Sequence, residues 1–248
     1  MAENSVAIIG TSRLAQELAA LCQENGLGAR LSAHPDDLAP ITPVVVETFA
    51  QDLERKRGIL KKLDDFLSPE SLILTSCLGC SVTDLTAPLK RPGRVIGFAT
   101  FYPIKDRKLI ELAAGLRTAD SAAQKAEEFF KGLGKETARV KDAAGLTFPR
   151  ILSLIVSEAA RALDEGVASA EEIDLAMRLG VNYPQGPLKW ADQIGLDEVL
   201  AVLEGLHRET GDDRYRPAPL LRRLVTAGFL GEITGRGFYS YTEGQVKK

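Results

Sequence analysis

The segment SVAIIGTSRLAQELAALCQENG, residues 5–26, decides the fold of the first part of the chain. It opens with a short apolar run that ends at Gly10. The residues after this glycine place apolar side chains at Leu14, Leu18, Leu21 and Cys22, which is the spacing of an amphipathic helix. A strand, a tight turn and a helix in this order predict the first unit of a parallel β-sheet with helices packed on it.

Further apolar runs continue this pattern towards the middle of the chain. They lack strict alternation between apolar and polar residues, which is typical of strands buried on both faces. Residues 52–67, between two of the runs, have helical spacing. We therefore predict an α/β domain with a parallel sheet, whose further strands are residues 29–33, 44–49, 71–76, 94–100 and 108–116.

The pattern of the sequence changes near Gly145. From there on the patterned segments have the spacing of helices, and Ser169 followed by Glu172 forms a capping box. The sequence therefore predicts two domains, residues 1–144 with the sheet and residues 145–248 with helices alone. The predicted helices of the second domain are residues 151–165, 170–179, 191–207 and 219–227.

The composition narrows the range of functions. The 248 residues carry a net charge of −3 and show no basic stripe, which argues against nucleic acid as a partner. Three cysteines in a chain of this length indicate a reducing compartment and not a disulfide scaffold. No uncharged apolar run approaches the length of a membrane span, about 18 residues. We expect a cytoplasmic, soluble protein with no nucleic-acid or membrane partner.

Three segments of the helical part resemble one family. The C-terminal stretch PAPLLRRLVTAGFLGEITGRGFYSY, residues 217–241, closes on a GxxTGRGFYxY pattern. It is preceded by DEGVASAEEIDLAMRLG at residues 164–180 and by NYPQGPLKWADQIGLD at residues 182–197. In this order the segments are similar to the C-terminal domain of the 3-hydroxyacyl-CoA dehydrogenase family, and the resemblance extends over almost the whole chain.

The resemblance implies a Rossmann-like NAD-binding domain followed by an all-helical domain. It also implies a nicotinamide-dependent oxidoreductase that acts on an acyl-CoA-type small molecule, and a homodimer formed through the helical domain. Retention of the C-terminal segment predicts that assembly is preserved, either as a homodimer or as a heterodimer with an active family member. The apolar helix face expected at this interface comprises Leu220, Leu221, Leu224 and Phe229.

The turn at residues 10–15 matches a dinucleotide fingerprint in part. Gly10 holds the first glycine position, and Ala15 holds the third, where alanine is acceptable. Ser12 replaces the second glycine, so its side chain narrows the approach to the pyrophosphate but offers a hydrogen bond. Arg13 is either a phosphate ligand or a solvent-exposed residue of the first helical turn. We expect weak binding of NAD at this turn.

The ribose end of the same site is also changed. The acidic residue that binds the ribose in such folds lies about 20 residues further on, and its position here is Ala33. Asp36 and Asp37 lie slightly later and are poor substitutes. His34 or Arg30 near a 2′-phosphate would suit NADP, which is the less favoured cofactor.

Two neighbouring segments bear on the same site. VVVETFAQDLERK, residues 44–56, is similar to the family segment VIEAVPEDLELK, and Lys56 keeps its basic position near the nicotinamide side. The connection HPDDLAPITP, residues 34–43, contains three prolines, which forbid more than a helical turn. Family members carry a long helical excursion there that contributes to the CoA groove. The resemblance therefore implies that one wall of this groove is missing.

The segment IGFATFYPIKDRKLIEL, residues 96–112, aligns with the catalytic segment of the family, roughly IGMHFFNPVPVMKLVEV. The catalytic histidine falls on Ala99, the following asparagine falls on Tyr102, and the partner glutamate is retained as Glu111. An imidazole suits the removal of a hydroxyl proton near neutral pH, and its loss predicts a strongly impaired reaction.

Further positions of the family pattern also depart. A second family asparagine falls on Pro149, and serines of the family fall near Leu78 and Gly79. Cys77 and Cys80 form a CxxC pair without a second pair or a nearby histidine. A zinc site or a redox dithiol is therefore disfavoured, and we predict no metal site and two small apolar residues at the end of a buried strand.

Tyr102 and Glu111 are the remaining candidates for catalysis. Tyr102 could replace the base if a basic neighbour lowers its pKa, or it simply fills the vacated pocket. Glu111 is either a catalytic partner or a structural carboxylate. Two functions follow for the chain as a whole. It is an impaired or altered dehydrogenase, or else a non-catalytic partner subunit or CoA- or nucleotide-binding module.

Overall fold

The computed structural model describes residues 5–241. These residues form two compact units, which divide between Phe148 and Pro149. The first unit is built on a seven-stranded sheet with the strand order β2-β1-β3-β4-β5-β6-β7. The strands are β1 Ser5–Ile9, β2 Gly28–Ser32, β3 Val44–Glu47, β4 Leu72–Ser76, β5 Val95–Ala99, β6 Leu109–Ala113 and β7 Glu136–Val140.

Helices cover both faces of this sheet. One face carries Val6 and Ile8 and packs against α1 and α4, while the other carries Ala7 and Ile9 and packs against α2 and α3. Successive residues of a strand point to opposite faces, so a continuous apolar run is buried on both sides. The predicted α/β architecture is confirmed. The four helices are α1 Arg13–Glu24, α2 Leu53–Phe66, α3 Val82–Thr86 and α4 Asp120–Gly132.

Strand β6 departs from the predicted parallel sheet. It runs antiparallel to β5, with Ala99 opposite Glu111, while the other neighbouring strands pair in parallel. The connection from β5 to β6 contains a single 3-10 turn, Ile104–Asp106, and no crossover helix. Parallel neighbours need a connection of about a dozen residues or more, so this short loop leaves the antiparallel arrangement.

The sequence pattern assigned no element to residues 117–144, where the structure contains α4 and β7. The buried face of α4 consists mainly of alanines, at Ala122, Ala123 and Ala126, which give a weak periodic signal. Strand β7 lies at the edge of the sheet and none of its residues is fully buried. An edge strand does not need the apolar run by which the other strands were recognised.

The connection between β2 and β3 contains one 3-10 turn, Pro35–Asp37, as its prolines predict. Strand β2 is the other edge of the sheet, and three of its five residues are exposed. Its Leu31 is 41% exposed, and Ile41 in the connection is 66% exposed. The short connection therefore leaves apolar surface uncovered at this edge.

The second unit is helical in its described part. The predicted capping box is confirmed, since Ser169 accepts a hydrogen bond from the Glu172 amide and Glu172 accepts one from the Ser169 amide. The predicted single helix at residues 191–207 is wrong, because Gly195, with φ at +119°, separates two helices there. The helices are α5 Phe148–Asp164, α6 Ala170–Val181, α7 Pro187–Ile194, α8 Leu196–Thr210 and α9 Pro219–Thr226.

The C-terminal GxxTGRGFYxY segment wraps around one buried carboxylate, that of Asp192 in α7. This side chain is fully buried and accepts hydrogen bonds from the amides of Phe238 and Tyr239, each at 2.9 Å, and from the Tyr241 hydroxyl at 2.8 Å. Burial raises the pKa of Asp192 to about 6, and the three donors oppose this shift.

The glycines of this segment are required by its close approach to α7. A Cβ at Gly237 would lie 2.0 Å from Asp192 Oδ1, and one at Gly231 would lie 2.2 Å from the Asp192 carbonyl oxygen. Such distances are far inside van der Waals contact, so the segment can close on Asp192 only where a side chain is absent. The most recognisable motif of the chain therefore has a structural role within the helical unit.

A second buried carboxylate, that of Asp174, joins the same region. It accepts hydrogen bonds from the amides of Leu188 and Lys189, at 2.8 and 2.9 Å, and so caps the start of α7. It also accepts one from the Tyr239 hydroxyl at 2.8 Å. A Cβ at Gly186 would lie 2.1 Å from the Asp174 side chain. The three segments that resemble the family thus meet at two aspartates. Within residues 5–241, no helix is long and apolar enough to span a membrane.

Candidate active site

The glycine turn closes against the end of β3. A Cβ at Gly10 would lie 2.0 Å from Thr48 Oγ1 and 3.1 Å from Ala15 Cβ. Thr48 is itself held by Ile9, whose carbonyl accepts its amide at 2.9 Å and its hydroxyl at 3.1 Å. Gly10 is therefore required by tertiary packing against Thr48. An open helix N-terminus beside such a turn fits a pyrophosphate.

Ser12 is the N-cap residue of α1. Its backbone is extended, and its hydroxyl oxygen accepts a hydrogen bond from the Ala15 amide at 3.3 Å. The side chain is thus turned towards the helix and occupies one of the amides that would otherwise face an anion. The sequence analysis considered Ser12 as a hydrogen-bond donor to the cofactor, whereas here the side chain acts as an acceptor within the helix cap.

Arg13 and Tyr102, which were assigned to different parts of the site, are in contact. The Arg13 guanidinium carbon lies 4.2 Å from the centre of the Tyr102 ring, a distance typical of a cation–π contact. The loop that carries Tyr102 also reaches α1 through the Ile104 amide, which donates to Glu17 at 2.5 Å. The connection after β5 therefore lies against the first turns of α1.

Lys56 is buried and bound to Glu47. Its ammonium group forms an ion pair with Glu47 and donates to the Phe49 carbonyl at 2.8 Å, with the lysine only 2% exposed. Glu47 also accepts hydrogen bonds from the Thr75 hydroxyl at 2.6 Å and from the Phe49 amide at 2.7 Å. A buried carboxylate needs such compensation, so Lys56 neutralises Glu47 at the carboxyl ends of β3 and β4.

The end of β2 holds a carboxylate that the alignment did not place there. Ala33 carries only a methyl group, but the Asp37 carboxylate accepts a hydrogen bond from Ser32 Oγ at 2.7 Å. Ser32 is the last residue of β2, and its carbonyl accepts the Gly10 amide at 2.9 Å. Asp37 is therefore one hydrogen bond away from the strand end that borders the glycine turn. Asp36 instead pairs with Lys62 at 3.1 Å.

Ala99 and Glu111 face each other across the antiparallel pair of β5 and β6. Ala99 is 2% exposed, so a buried methyl group occupies the position of the imidazole in the family pattern. Glu111 is 6% exposed and accepts hydrogen bonds from the amides of Thr147 and Phe148, at 2.8 and 3.1 Å. These amides lie at the start of α5, where a carboxylate stabilises the unpaired N–H groups. The Glu111 carboxylate thus binds these two amides in this structure.

The other predicted departures lie in apolar or helix-terminal positions. Pro149 is the second residue of α5, a position where proline is tolerated because its missing amide has no helical acceptor. Leu78 is fully buried. Cys77 and Cys80 are buried cysteines outside any disulfide that follow β4, and burial raises the pKa of the Cys77 thiol. This agrees with their interpretation as small apolar residues.

Asp142 was missed by the sequence analysis. Its carboxylate accepts hydrogen bonds from the amides of Val82 and Thr83, at 2.7 and 2.8 Å, and so caps α3 together with Ser81. In the sequence, Ser81 directly before the helix indicates an N-cap, but Asp142 lies 60 residues from Val82 and leaves no local pattern. The start of α3 follows the loop in which the family pattern has serines. Its first amides already donate to Asp142 and Ser81 of this chain.

Neither histidine of the chain lies next to Ala99 and Glu111 in the sheet. The chain has two histidines. His34 follows β2, at the edge of the sheet away from β5, and His207 lies in α8 near Asp213, at 3.4 Å. Among residues 5–241, no group of three histidine, cysteine or acidic side chains is arranged to hold a metal ion.

Comparison with known proteins agrees with this two-part organisation. The NAD-binding domain of 3-hydroxyacyl-CoA dehydrogenase matches residues 28–143, and the C-terminal domain of the same enzyme matches residues 145–241. The chain belongs to the 3-hydroxyacyl-CoA dehydrogenase family. The matched part of the NAD-binding domain begins after the glycine turn at residues 10–15.

Individual relatives give the same assignment. A probable 3-hydroxybutyryl-CoA dehydrogenase from Bacillus subtilis is 40% identical over 200 residues, which are 81% of this chain and 70% of that protein. A 3-hydroxybutyryl-CoA dehydrogenase from Bradyrhizobium diazoefficiens is 41% identical over 206 residues, 83% of this chain and 70% of that one. The crystal structure of (S)-3-hydroxybutyryl-CoA dehydrogenase from Ralstonia eutropha covers 97% of this chain and 99% of its own, with a TM-score of 0.81 and 34% identity.

The family assignment accounts for the architecture more fully than for the chemistry. The Rossmann-like domain followed by a helical domain is shared with these dehydrogenases. Ala99 and Tyr102, which the sequence analysis aligned with the family's histidine and asparagine, carry a buried methyl group and an aromatic ring. The comparisons therefore show the family and the fold of a nicotinamide-dependent oxidoreductase.

Proposed function

We propose that the chain is a 3-hydroxyacyl-CoA dehydrogenase-like protein that binds NAD(H) and an acyl-CoA-type ligand but is strongly impaired in the family reaction. The observation that supports this most directly is the pair formed by Ala99 and Glu111. The first provides no proton-transfer group, and the second is engaged by the amides of Thr147 and Phe148. In this proposal, Glu111 positions the start of α5 by accepting hydrogen bonds from these two amides.

The nicotinamide ring, when bound, supplies or accepts the hydride, and the protein must handle the proton. Of the two candidates for catalysis, Glu111 lies opposite Ala99 and has no imidazole there to orient. Tyr102 is the one side chain left that could hold a proton at its hydroxyl, and Arg13 lies over its ring at 4.2 Å. Tyr102 also packs against the core cluster between α1, α4 and the sheet, which favours the filling role.

The nucleotide subsite retains features that suit a dinucleotide. Gly10 leaves the space that Thr48 requires, and α1 begins directly after the turn. Arg13 is placed to add positive charge at the first helical turn, where phosphate groups bind. Because the Ser12 side chain already uses the Ala15 amide, we propose that NAD binds more weakly than at a turn with a second glycine.

For the choice between NAD and NADP, we propose that Asp37 takes the place of the missing ribose-binding carboxylate. Ser32 holds this carboxylate at the end of β2, at 2.7 Å, where an acidic group normally binds the ribose hydroxyls. A carboxylate there accepts hydrogen bonds from the 2′-hydroxyl and repels a 2′-phosphate. NAD is therefore the proposed cofactor.

Substitution of Asp37 tests this preference. Asp37→Asn is expected to weaken NADH binding about tenfold, because a hydrogen bond to a charged group is replaced by one to a neutral group, and to narrow the difference between NADH and NADPH. Binding is measured through the fluorescence of the reduced nicotinamide. Asp36→Asn is the matched control, since Asp36 pairs with the exposed Lys62 instead.

The two possible failures of this experiment are distinguishable. If the unsubstituted protein binds neither nucleotide, the proposal of a nucleotide-binding function fails. If it binds NADH and Asp37→Asn leaves both affinities unchanged, only the role of Asp37 fails.

A non-catalytic subunit remains the second candidate, and the surface of α6 favours an assembly role. Leu175 and Leu179 are 45% and 77% exposed and lie one helical turn apart, and Val181 at the end of the helix is 54% exposed. An exposed apolar face of this kind is typical of an interface. The face predicted on α9 is partly wrong, because Leu221 is fully buried within the chain.

We propose that the chain dimerises through the helical unit, with itself or with an active family member, and that α6 contributes to the contact. Leu179→Glu is expected to weaken self-association at least about tenfold, because a charge would be buried in an apolar interface. Light scattering across a concentration series measures this change. Leu116→Glu, at a leucine that is 91% exposed in the first unit, should have no effect. A monomer at high micromolar concentration that also fails to pair with a family member would contradict the proposal.

A further inference from the structure

Lys135 is a buried lysine between α4 and β7, and it is 8% exposed. Its ammonium group donates hydrogen bonds to three backbone carbonyl oxygens, at 2.7, 3.3 and 2.8 Å, which are those of Ile104, Lys105 and Arg107. All three carbonyls belong to the β5–β6 loop, residues 100–108. A lysine has three N–H donors, so this ammonium group directs its whole hydrogen-bonding capacity at one loop. The loop carbonyls thereby compensate the burial of the charge.

The same loop is bound from α1 through Glu17. This carboxylate accepts a hydrogen bond from the Ile104 amide at 2.5 Å. The Ile104 side chain is fully buried in the core cluster that α1 and α4 form with the sheet. Burial lowers the pKa of Lys135, and the nearby carboxylates of Glu17 and Asp106 oppose this shift. The middle of the loop is thus bound both to α1 and to the segment that precedes β7.

The beginning of the loop reaches the glycine turn. Tyr102 lies two residues before Ile104, and the Arg13 guanidinium carbon lies 4.2 Å from the centre of its ring. Arg13 begins α1 directly after the turn. Because Arg13 and Glu17 are four residues apart in a helix, they lie on the same face. The face of α1 that holds the loop is therefore the face that carries Arg13.

A fixed loop affects binding because arginine is a flexible side chain. An unrestrained arginine loses conformational entropy when it binds a ligand, and a contact that orders it beforehand lowers this cost. The Tyr102 ring is such a contact, since a guanidinium over an aromatic face is attracted to it. The ring keeps its place only while the loop does. The order of Arg13 thus depends on the groups that hold the loop.

We propose that Lys135 and Glu17 are positioning residues of the nucleotide site, which hold the β5–β6 loop so that the Tyr102 ring orders Arg13 for the pyrophosphate of a dinucleotide. The inference rests on the nucleotide-binding function proposed above. Neither positioning residue touches the nucleotide in this proposal, since both act through the loop. The segment that aligns with the catalytic residues of the family would then serve nucleotide binding in this chain.

Binding of NADH to the intact chain, followed through the fluorescence of the reduced nicotinamide, tests the role of Lys135. Lys135→Met removes the ammonium group and keeps an unbranched side chain, and it is expected to weaken NADH binding about fivefold through loss of the ordered cation–π contact. Amide hydrogen exchange in the β5–β6 loop should become faster at the same time. Lys131→Met is the matched control, because Lys131 is an exposed lysine of α4, and it should change neither quantity.

A double substitution separates positioning from a general loss of stability. In a Tyr102→Leu background the ring through which Lys135 acts is absent, so Lys135→Met is expected to cause no further loss of NADH affinity. A lysine that only stabilises the fold would weaken binding by the same factor in both backgrounds. Equal factors would therefore overturn the proposal, even if the single variant binds NADH weakly.

Glu17 provides an independent test on α1. Glu17→Ala removes the acceptor of the Ile104 amide while favouring the helix, so about a fivefold loss of NADH affinity is expected without loss of helical structure. Glu17→Gln keeps a side-chain oxygen that accepts the amide and should bind NADH as the unsubstituted protein does. Gln16→Ala is the control at an exposed position of the same helix.

The outcomes distinguish this inference from the function on which it rests. If the unsubstituted chain binds no NADH, the nucleotide-binding function fails and the positioning roles fail with it. If it binds NADH, and Lys135→Met and Glu17→Ala bind it as tightly as their controls, only the positioning roles are overturned. Equal losses in Glu17→Ala and Glu17→Gln would also contradict the role of the Ile104 hydrogen bond.

Discussion

Reduction of acetoacetyl-CoA by NADH is expected to be slower than a typical enzyme rate of about 10 per second by about 10²- to 10⁴-fold. The reason is the buried methyl group of Ala99 in the position of a proton-transfer side chain. Loss of the family asparagines at Tyr102 and Pro149 removes further polarisation of the carbonyl group, which adds about 10²-fold. Steady-state turnover measured at saturating NADH gives the comparison directly.

Two variants show where any residual activity comes from. Ala99→His alone is expected to restore little, because Tyr102 and Pro149 still depart from the family pattern and the new imidazole would be placed at a position that is only 2% exposed. Tyr102→Phe keeps the ring under Arg13 and removes only the hydroxyl, so it abolishes residual turnover if Tyr102 transfers the proton and leaves it unchanged if the ring fills a pocket. Turnover near ordinary enzyme rates in the unsubstituted chain would refute the proposed impairment.

Gly237→Ala is expected to lower the free energy of unfolding of the helical unit by about 3 kcal/mol or more. The new Cβ would lie 2.0 Å from Asp192 Oδ1 and 2.7 Å from the Gly231 Cα atom. The Asp192 side chain has no room to retreat, because it is fully buried and held by two amides and a hydroxyl. Thermal unfolding followed by circular dichroism should show a fall of about 10 °C or more in the transition of this unit.

Gly180→Ala is the matched control in the same unit. Gly180 lies in α6 with ordinary helical backbone, and a Cβ there would meet no atom within 4 Å. Alanine is the better helix former, so this variant is expected to leave stability unchanged or raise it by up to about 1 kcal/mol. Similar melting temperatures for the two variants would show that the contact between Gly237 and Asp192 is not what closes the C-terminal segment.

The sequence predicted those elements whose signals are local. The strand, turn and helix of residues 5–26 and the capping box of Ser169 and Glu172 were found because their partners lie within a few residues of one another. Helix α4 and strand β7 were not found, since an alanine-rich face and a polar edge strand carry little hydrophobic pattern. Strand β6 was found as a strand, but its direction depends on the length of the preceding loop.

The candidate site was predicted in its parts and not in its contacts. Alignment placed Ala33 at the ribose position. The fold places the Asp37 carboxylate at the end of β2, where it accepts a hydrogen bond from the Ser32 hydroxyl. Alignment placed Arg13 and Tyr102 in different subsites, and the loop after β5 brings them to 4.2 Å. Residues separated along the chain leave no spacing pattern that would reveal such contacts.

The sequence by itself determined the alternation of strands and helices, the position of the glycine turn and the family to which the chain belongs. These depend on hydrophobic period, on helix capping and on motifs that are read along the chain. The tertiary structure decided which donors Glu111 and Asp192 bind, because these hydrogen-bond partners lie 36 to 49 residues away. A buried carboxylate must find donors wherever the folded backbone provides them, so its role is settled by packing and not by its neighbours in sequence.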